Sequence, residues 1–243
     1  MACFTVHSQY RSASAIMTSF SMILRALWAV FLKDVRSEVK TRYALNAVMM
    51  FVLTAVAVIA FSSAGEKISN GIAASMLWIV LFFSAMTGLQ KSFVSEEERG
   101  TSLLLSLHAP STAIYFGKLL FNMVLTLLLY GLATIAFFVF VNDVEIRSPL
   151  LFWTSFVLGS LATASATTII AAIIAKANTK AALFPVLSFP AILPLILSGV
   201  ETTYQALSGV AFAEARNNFQ IVGAYTVVVI AVSFMLFDFV WKD

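Results

Sequence analysis

The sequence predicts an all-α integral membrane protein with six transmembrane helices, and three observations support this fold class. Of the 243 residues, 60% are hydrophobic and only 11% are charged, whereas a soluble domain carries roughly 25% charged residues. Several apolar runs reach the roughly 20 residues that a helix needs to cross a bilayer. These runs are apolar on all sides, whereas a transmembrane strand alternates apolar and polar residues. The sequence therefore favours spanning helices over a barrel.

Two elements precede the first predicted span. Residues 1–22 are polar and serine-rich without a sustained apolar core, so they do not form a secretory signal. We expect them to be a disordered leader or the result of a start codon assigned too early. Residues 23–43 are predicted to form an amphipathic helix at the membrane interface, because its cations face anionic lipid. Its apolar stripe has helical spacing: Leu24, Leu27, Trp28, Phe31, Val35 and Val39.

The remaining residues, 44–243, are predicted to form a six-span permease domain. Its apolar segments are Ala44–Ser62, Gly71–Gln90, Leu119–Val141, Leu150–Ala175, Ala181–Gly199 and Phe219–Val240. Lysine and arginine concentrate in the cytoplasmic connections of membrane proteins. Twelve of the fifteen lie before the first span, after the second and fourth spans, or in the tail. We therefore expect both termini in the cytoplasm. We also expect a short outer helix within residues 200–218, a segment of mixed polarity.

The fourth and fifth spans contain residues that shape helix packing. Gly159 and Thr163 form a small-xxx-small pair, which lets helix backbones approach closely. We expect packing within the chain, with a dimer seam or a substrate-facing wall as the alternatives. Pro185, Pro190 and Pro194 each lack a backbone donor, which predicts a kinked fifth span packed inside the protein. It is either a shaped packing element or one that flexes during transport.

The sequence lacks the motifs for ion coupling, haem binding within the membrane and nucleotide binding. The interior of each predicted span lacks charged residues, which disfavours an ion-coupled transporter. His7 and His108 lie outside the spans, so they do not form a pair that could bind haem within the membrane. Gly117-Lys118 lacks the earlier glycine of a P-loop, because Thr112 stands there. We therefore expect no enzyme activity and no directly bound cofactor in this chain.

Two motifs carry a resemblance to known permeases. The connection after the second span combines acid, glycine, leucines and proline: Glu97-x-x-Gly100-Thr101, Leu104, Leu107 and Pro110. It resembles the corresponding connection of ABC-2-type export permeases. The pair Pro190-x-x-x-Pro194, followed by Leu-Ile-Leu, is similar to the haem exporter protein B family, CcmB, of the cytochrome c maturation system. This resemblance covers the chain from about residue 23 to the C-terminus.

The resemblance implies a subunit of a larger machine in the bacterial inner membrane. In such systems two permease chains pair with two ATP-binding cassette subunits, and ATP binds only to the cassettes. The family is described as exporting haem, or as coupling ATP hydrolysis to release of a haem chaperone. Other membrane partners carry a tryptophan-rich haem-handling motif. This sequence lacks that motif, so haem is expected as cargo and not as a bound cofactor.

Within this frame, the acidic connection is expected to be the coupling helix that docks in a groove of the cassette. The acids pair with partner cations, the glycine permits a turn, the leucines form an apolar ridge, and the proline stops the helix. The expected coupling residues are Glu96, Glu97, Gly100, Thr101, Leu103, Leu104, Leu107 and Pro110. His108 is expected to belong to this surface and not to bind haem. A solvated loop whose leucines rest on lipid is the alternative.

Two other functions remain open from the sequence. The first alternative to haem delivery is an ABC-2 permease for another cargo, such as a lipid, peptide or drug. The second is a non-transporting scaffold that assembles a haem-handling complex. An unrelated efflux operon around the gene would favour the first. Haem delivery that continues without ATP hydrolysis in the partner would favour the second.

Overall fold

A computed structural model of the chain describes residues 2–63, 66–141, 144–176 and 183–242, with side chains described from Ser21 to Trp241. All regular structure in these described residues is helical. The helices are α1 (Ala2–Thr41), α2 (Tyr43–Ser62), α3 (Asn70–Leu89), α4 (Lys91–Glu98), α5 (Ser102–His108), α6 (Ser111–Phe140), α7 (Pro149–Lys176), α8 (Phe184–Ser208) and α9 (Arg216–Lys242).

The first helix is longer than predicted. Its backbone is helical from Ala2, so the structure differs from the disordered leader expected over residues 1–22. A physical reason is that no glycine or proline precedes Gly65 to interrupt a helix. The place where translation starts stays a prediction. The helix ends at Thr41, and Arg42 turns the chain into α2 with a φ of 50°.

Among the described residues, six helices are long and apolar enough to cross a membrane, which agrees with the predicted number of spans. The second of these combines α3 and α4, and the third begins at Ser111, eight residues before the predicted start. The fifth continues to Ser208, so residues 200–208 belong to α8 and not to a separate outer helix. Gly209, with a φ of 80°, ends α8 in the left-handed conformation that glycine adopts most easily.

The small residues of the fourth span pack within the chain. Helix α7 contacts α3, α4, α6, α8 and α9. A Cβ atom placed on Gly159 would lie 2.7 Å from the indole ring of Trp78 on α3. The Thr163 hydroxyl lies 2.9 Å from the hydroxyl of Tyr130 on α6. Gly159 and Thr163 therefore lie at contacts between helices of this chain, the first of the expected alternatives.

The fifth span exposes Pro190 and Pro194, which corrects the expectation that it is packed inside. Pro185 lies in the first turn of α8, where a missing backbone donor costs nothing. Pro190 and Pro194 lie within the helix and are exposed. Their neighbours are outward-facing apolar side chains, which need no protein partner in lipid. The Tyr225 hydroxyl of α9 donates a hydrogen bond to the nearby Ala191 carbonyl, at 2.6 Å. A kink at these prolines stays a prediction.

Candidate functional site

The chain between α3 and α6 is folded into two short helices, α4 and α5, joined by a tight turn. Helix α4 ends with Arg99 as its C-cap, followed by Gly100 with a φ of 65°. The Gly100 N–H donates to the Glu97 carbonyl at 3.0 Å, and the Thr101 N–H donates to the Glu96 carbonyl at 2.9 Å. This pair of bonds is a Schellman motif, which favours glycine at its left-handed position. Gly100 therefore sets the direction in which α5 leaves α4.

The second short helix, α5, presents a ridge of exposed leucines. Leu103, Leu104 and Leu107 are 68%, 57% and 72% exposed. Leu105, on the opposite side, packs against the core. The His108 Nδ1 atom lies 2.8 Å from the Leu104 carbonyl oxygen, so this ring is held against its own helix. Pro110 follows with extended backbone and directly precedes α6. We call Leu103, Leu104 and Leu107 the leucine ridge.

Glu96 does not belong to the surface that the sequence predicts. It is 9% exposed, and its carboxylate contacts the ammonium groups of Lys33 and Lys118. The expectation that Glu96 pairs with cations of a partner is therefore corrected, because two cations of the chain itself already surround it. Glu97 is partly buried and Glu98 is exposed, so only these two acids of the run remain open to the outside.

Lys118 is the centre of this buried charge cluster. Its side chain is 1% exposed, and its Nζ atom lies 3.0 Å from Asp34 Oδ2 and 3.4 Å from Glu96 Oε1. It also donates to the Ser92 carbonyl at 2.7 Å. The Nζ atom lies 4.9 Å from the centre of the Phe93 ring, a distance typical of a cation–π contact. We call Lys33, Asp34, Glu96 and Lys118 the charge cluster.

The charge cluster joins three elements and reaches the start of α5. Asp34 and Lys33 lie on α1, Glu96 on α4 and Lys118 on α6. The Thr101 hydroxyl donates to Glu96 Oε2 at 2.6 Å, which ties the cluster to the turn before α5. Burial alone would lower the pKa of Lys33, but the charge of Asp34 and the bond to Glu96 raise it above its usual value. The Lys33 ammonium group therefore stays charged at neutral pH.

The sequence analysis did not predict that Asp34 and Lys118 form a buried ion pair. It counted Lys118 among the cations of the connection after the second span, because it placed the start of the third span at Leu119. One signal was available: Pro110 ends the preceding segment, so a helix that begins at Ser111 carries Lys118 two turns inside it. The partners could not be read from spacing, since Asp34 lies 84 residues earlier in the chain.

Helices that can span a membrane, with a short exposed helix at one end, define the class of this molecule as a multi-pass helical membrane protein. A model of the family described as CcmB protein matches residues 25–238, so the chain belongs to the CcmB family. This family implies a membrane component of the haem exporter for cytochrome c maturation. A search of curated proteins found no match.

Proposed function

We propose that the chain is the transmembrane subunit of an ABC transporter in the bacterial inner membrane, and that α5 couples it to a separate cassette ATPase. The observation that carries this proposal is the leucine ridge. Three leucines exposed on a seven-residue helix form an apolar surface that water disfavours and that a partner groove would cover. The lysine and arginine distribution supports a cytoplasmic position for this end of the bundle.

The contacts on both sides of the leucine ridge support the proposal that α5 transmits motion from the cassette to the spans. On one side the Schellman turn at Gly100 fixes its direction, and on the other side Pro110 leads straight into the third span. The charge cluster holds α4 against α1 and α6. A groove of about 660 Å³ lies beside the ridge and is lined by Glu97, Leu103 and Lys176 among others. The position of Glu97 at this groove supports its pairing with a cation of the partner.

The proposed complex contains two copies of this chain and two cassette subunits, with a haem-handling membrane protein and a haem chaperone as further partners. ATP binds to the cassettes, whose hydrolysis drives haem export or release of the chaperone for c-type cytochrome biogenesis. Family membership supports the haem pathway. The P-loop spacing missing around Gly117-Lys118 supports a separate ATPase.

The test is co-purification of the chain with the cassette subunit that its neighbouring genes encode. We expect Leu104→Asp with Leu107→Asp to abolish association and stimulated ATPase activity, because two carboxylates would have to be buried in an apolar groove. The matched control is Leu150→Asp, an equally exposed leucine at the opposite end of the bundle. If association and stimulated ATPase activity survive the double substitution, α5 is not the coupling element.

A second measurement separates transport from a scaffold role. We expect maturation of c-type cytochromes to stop when the cassette is replaced by a variant that binds ATP without hydrolysing it. Continued maturation would contradict ATP-driven haem delivery and favour a scaffold. Normal maturation in cells that lack this chain would contradict the haem pathway and favour another cargo.

A further inference from the structure

The outward face of α8 carries backbone acceptors that the helix cannot satisfy by its usual bonds. In an α-helix the N–H group of residue i+4 donates to the carbonyl of residue i. Pro190 and Pro194 have no N–H group, so the carbonyls of Val186 and Pro190 lose these donors. A carbonyl points along the helix toward residue i+4, and all three residues are exposed. Both carbonyls therefore lie on the outward face of a helix that can span the membrane.

Neither lipid nor the chain itself supplies the missing donors. Acyl chains have no hydrogen-bond donor, and freed backbone groups of a spanning helix are satisfied by neighbouring helices, side chains or water. Within the described part of the chain, no side chain donates to either carbonyl, and the Tyr225 hydroxyl of α9 bonds to Ala191 instead. Pairing of α8 with α8 of another chain would place acceptors against acceptors. This face therefore favours a different helix that brings a donor.

Helix α2 has an exposed donor of this kind. Asn46 is exposed near its start, and the side-chain amide has no hydrogen-bond partner in the part of the chain that the structure describes. Met50 and Leu53, at steps of four and three residues, continue the same outward ridge. The outward ridge of α8 repeats this spacing: Val186, Pro190 and Leu193. Three spans lie between α2 and α8, so the two helices run across the membrane in the same direction.

The two helices flank α3 on one side of the molecule, because α3 packs against both. A row of rings crosses this side, with centroids 6.2, 5.1 and 5.8 Å apart: Phe51 of α2, Phe83 and Phe82 of α3, and Phe189 of α8. The row places Phe51 and Phe189 at a similar depth. Asn46 lies five residues before Phe51, and Val186 lies three residues before Phe189. The donor and the acceptor thus differ by about 3 Å along the helix axes.

We propose that two copies of the chain meet through this side, with α2 of each copy packed in parallel against α8 of the other. The Asn46 amide of each copy donates to the Val186 carbonyl of the other. Met50 packs beside Pro190 in the same contact. A two-fold dimer forms each contact twice, so one donor ridge and one acceptor ridge are enough. The inference rests on the proposed function, which contains two copies of the chain, and it names the surface between them.

The first test links the copies in native membranes. Cys3→Ser removes the single cysteine of the chain, and differently tagged chains with Met50→Cys or Leu193→Cys are then produced together. We expect oxidation to give a disulfide-linked dimer that carries both tags. The matched control pairs Met50→Cys with Val228→Cys, an exposed position of α9, and should give no such dimer. A missing dimer in the first pair, or an equal yield from the control, would overturn the contact.

The second test measures dimerisation of the full chain in liposomes by energy transfer between labelled copies. Asn46→Leu should weaken dimerisation about eightfold, because two symmetric hydrogen bonds of roughly 0.6 kcal/mol each are lost. Gln220→Leu removes an exposed amide of α9 and should leave dimerisation unchanged. Pro190→Ala returns a donor to the Val186 carbonyl within α8, so in that background Asn46→Leu should weaken dimerisation less than about twofold. Equal losses in the two backgrounds would overturn the bond between Asn46 and Val186.

A photocrosslinker attached to Leu193→Cys identifies what covers this face. Capture of the second copy supports the proposal. Capture of a different membrane protein in its place, or of lipid alone, would overturn it. A dimer joined through other surfaces would overturn this contact and leave the proposed function standing. Loss of coupling through α5 is measured with the cassette present, so a failure there would leave this contact standing.

Discussion

The two short helices between α3 and α6, α4 and α5, are neighbours in sequence and opposite in burial. In α4 a carboxylate is inside the protein, where Glu96 contacts two lysines. In α5 three leucines are outside. This difference shows that the polarity of a side chain does not by itself decide whether it is buried. Glu96 is buried because Lys33 and Lys118 pair with its carboxylate. The leucines are outside because no element within the described part of the chain covers them.

The largest effect that would test this contrast is expected from Lys118→Met. The substitution leaves Asp34 and Glu96 with Lys33 as their remaining cation, and breaking a buried ion pair costs about 3–5 kcal/mol of unfolding free energy. Thermal unfolding in detergent measures this loss. Lys40→Met, at an exposed position of α1, is the control and should change stability by less than about 0.5 kcal/mol. Equal melting temperatures of the two variants would contradict the charge cluster.

A smaller effect separates two adjacent acids of α4. Glu96→Gln removes the charge that Lys33 and Lys118 share, and we expect a loss of about 2 kcal/mol, typical of a hydrogen bond to a charged group. Glu97→Gln, the matched neighbour, should stay within about 0.5 kcal/mol of the parent protein. Thermal unfolding in detergent measures both losses of unfolding free energy. A larger loss for Glu97→Gln than for Glu96→Gln would show that the carboxylate of Glu97 is the buried one.

The turn between the two halves is tested by Gly100→Ala. No atom lies within 4 Å of a Cβ placed there, so a clash cannot contribute and the positive φ alone costs about 1–2 kcal/mol. Gly131→Ala is the control, because that glycine lies inside α6 and also has open space around it. We expect this control to stabilise the helix by about 0.5–1 kcal/mol. Equal effects of the two alanines on the unfolding temperature would rule out the strained turn.

The smallest effect on stability is expected from the leucine ridge itself. Replacing Leu103, Leu104 and Leu107 together with serine should change unfolding free energy by no more than about 0.5 kcal/mol per residue, because exposed side chains lose few contacts. Leu129→Ser, fully buried in α6, is the control and should cost several times more. A triple variant as unstable as the control would show that the ridge packs within the chain, and would remove the basis for docking.

The sequence was sufficient for the fold because each span is encoded locally. Apolar runs of about twenty residues form helices in a bilayer whatever their neighbours are, since backbone groups must be paired within the segment. The turn at Gly100 and the leucine ridge are also local, because glycine and helical spacing predict them within twelve residues.

The charge cluster could not be predicted in this way. Asp34, Glu96 and Lys118 are each unremarkable charged residues near the end of a helix, and only the packing of α1 against α4 and α6 brings them together. The outward face of α8 was missed for a related reason. A proline pattern indicates which backbone donors are absent, whereas the arrangement of α3, α7 and α9 decides which face of α8 is covered.

The close approach of α1 and α6 has a mechanical consequence. A Cβ atom at Gly117 would lie 2.8 Å from the Leu27 carbonyl oxygen, so the two backbones touch one residue before Lys118. The glycine fixes the separation of the helices, and the lysine fixes how far one can slide along the other. A displacement of α6 at this end of the bundle would therefore carry α1 with it, because the close contact at Gly117 and the ion pair of Lys118 with Asp34 hold the two helices together.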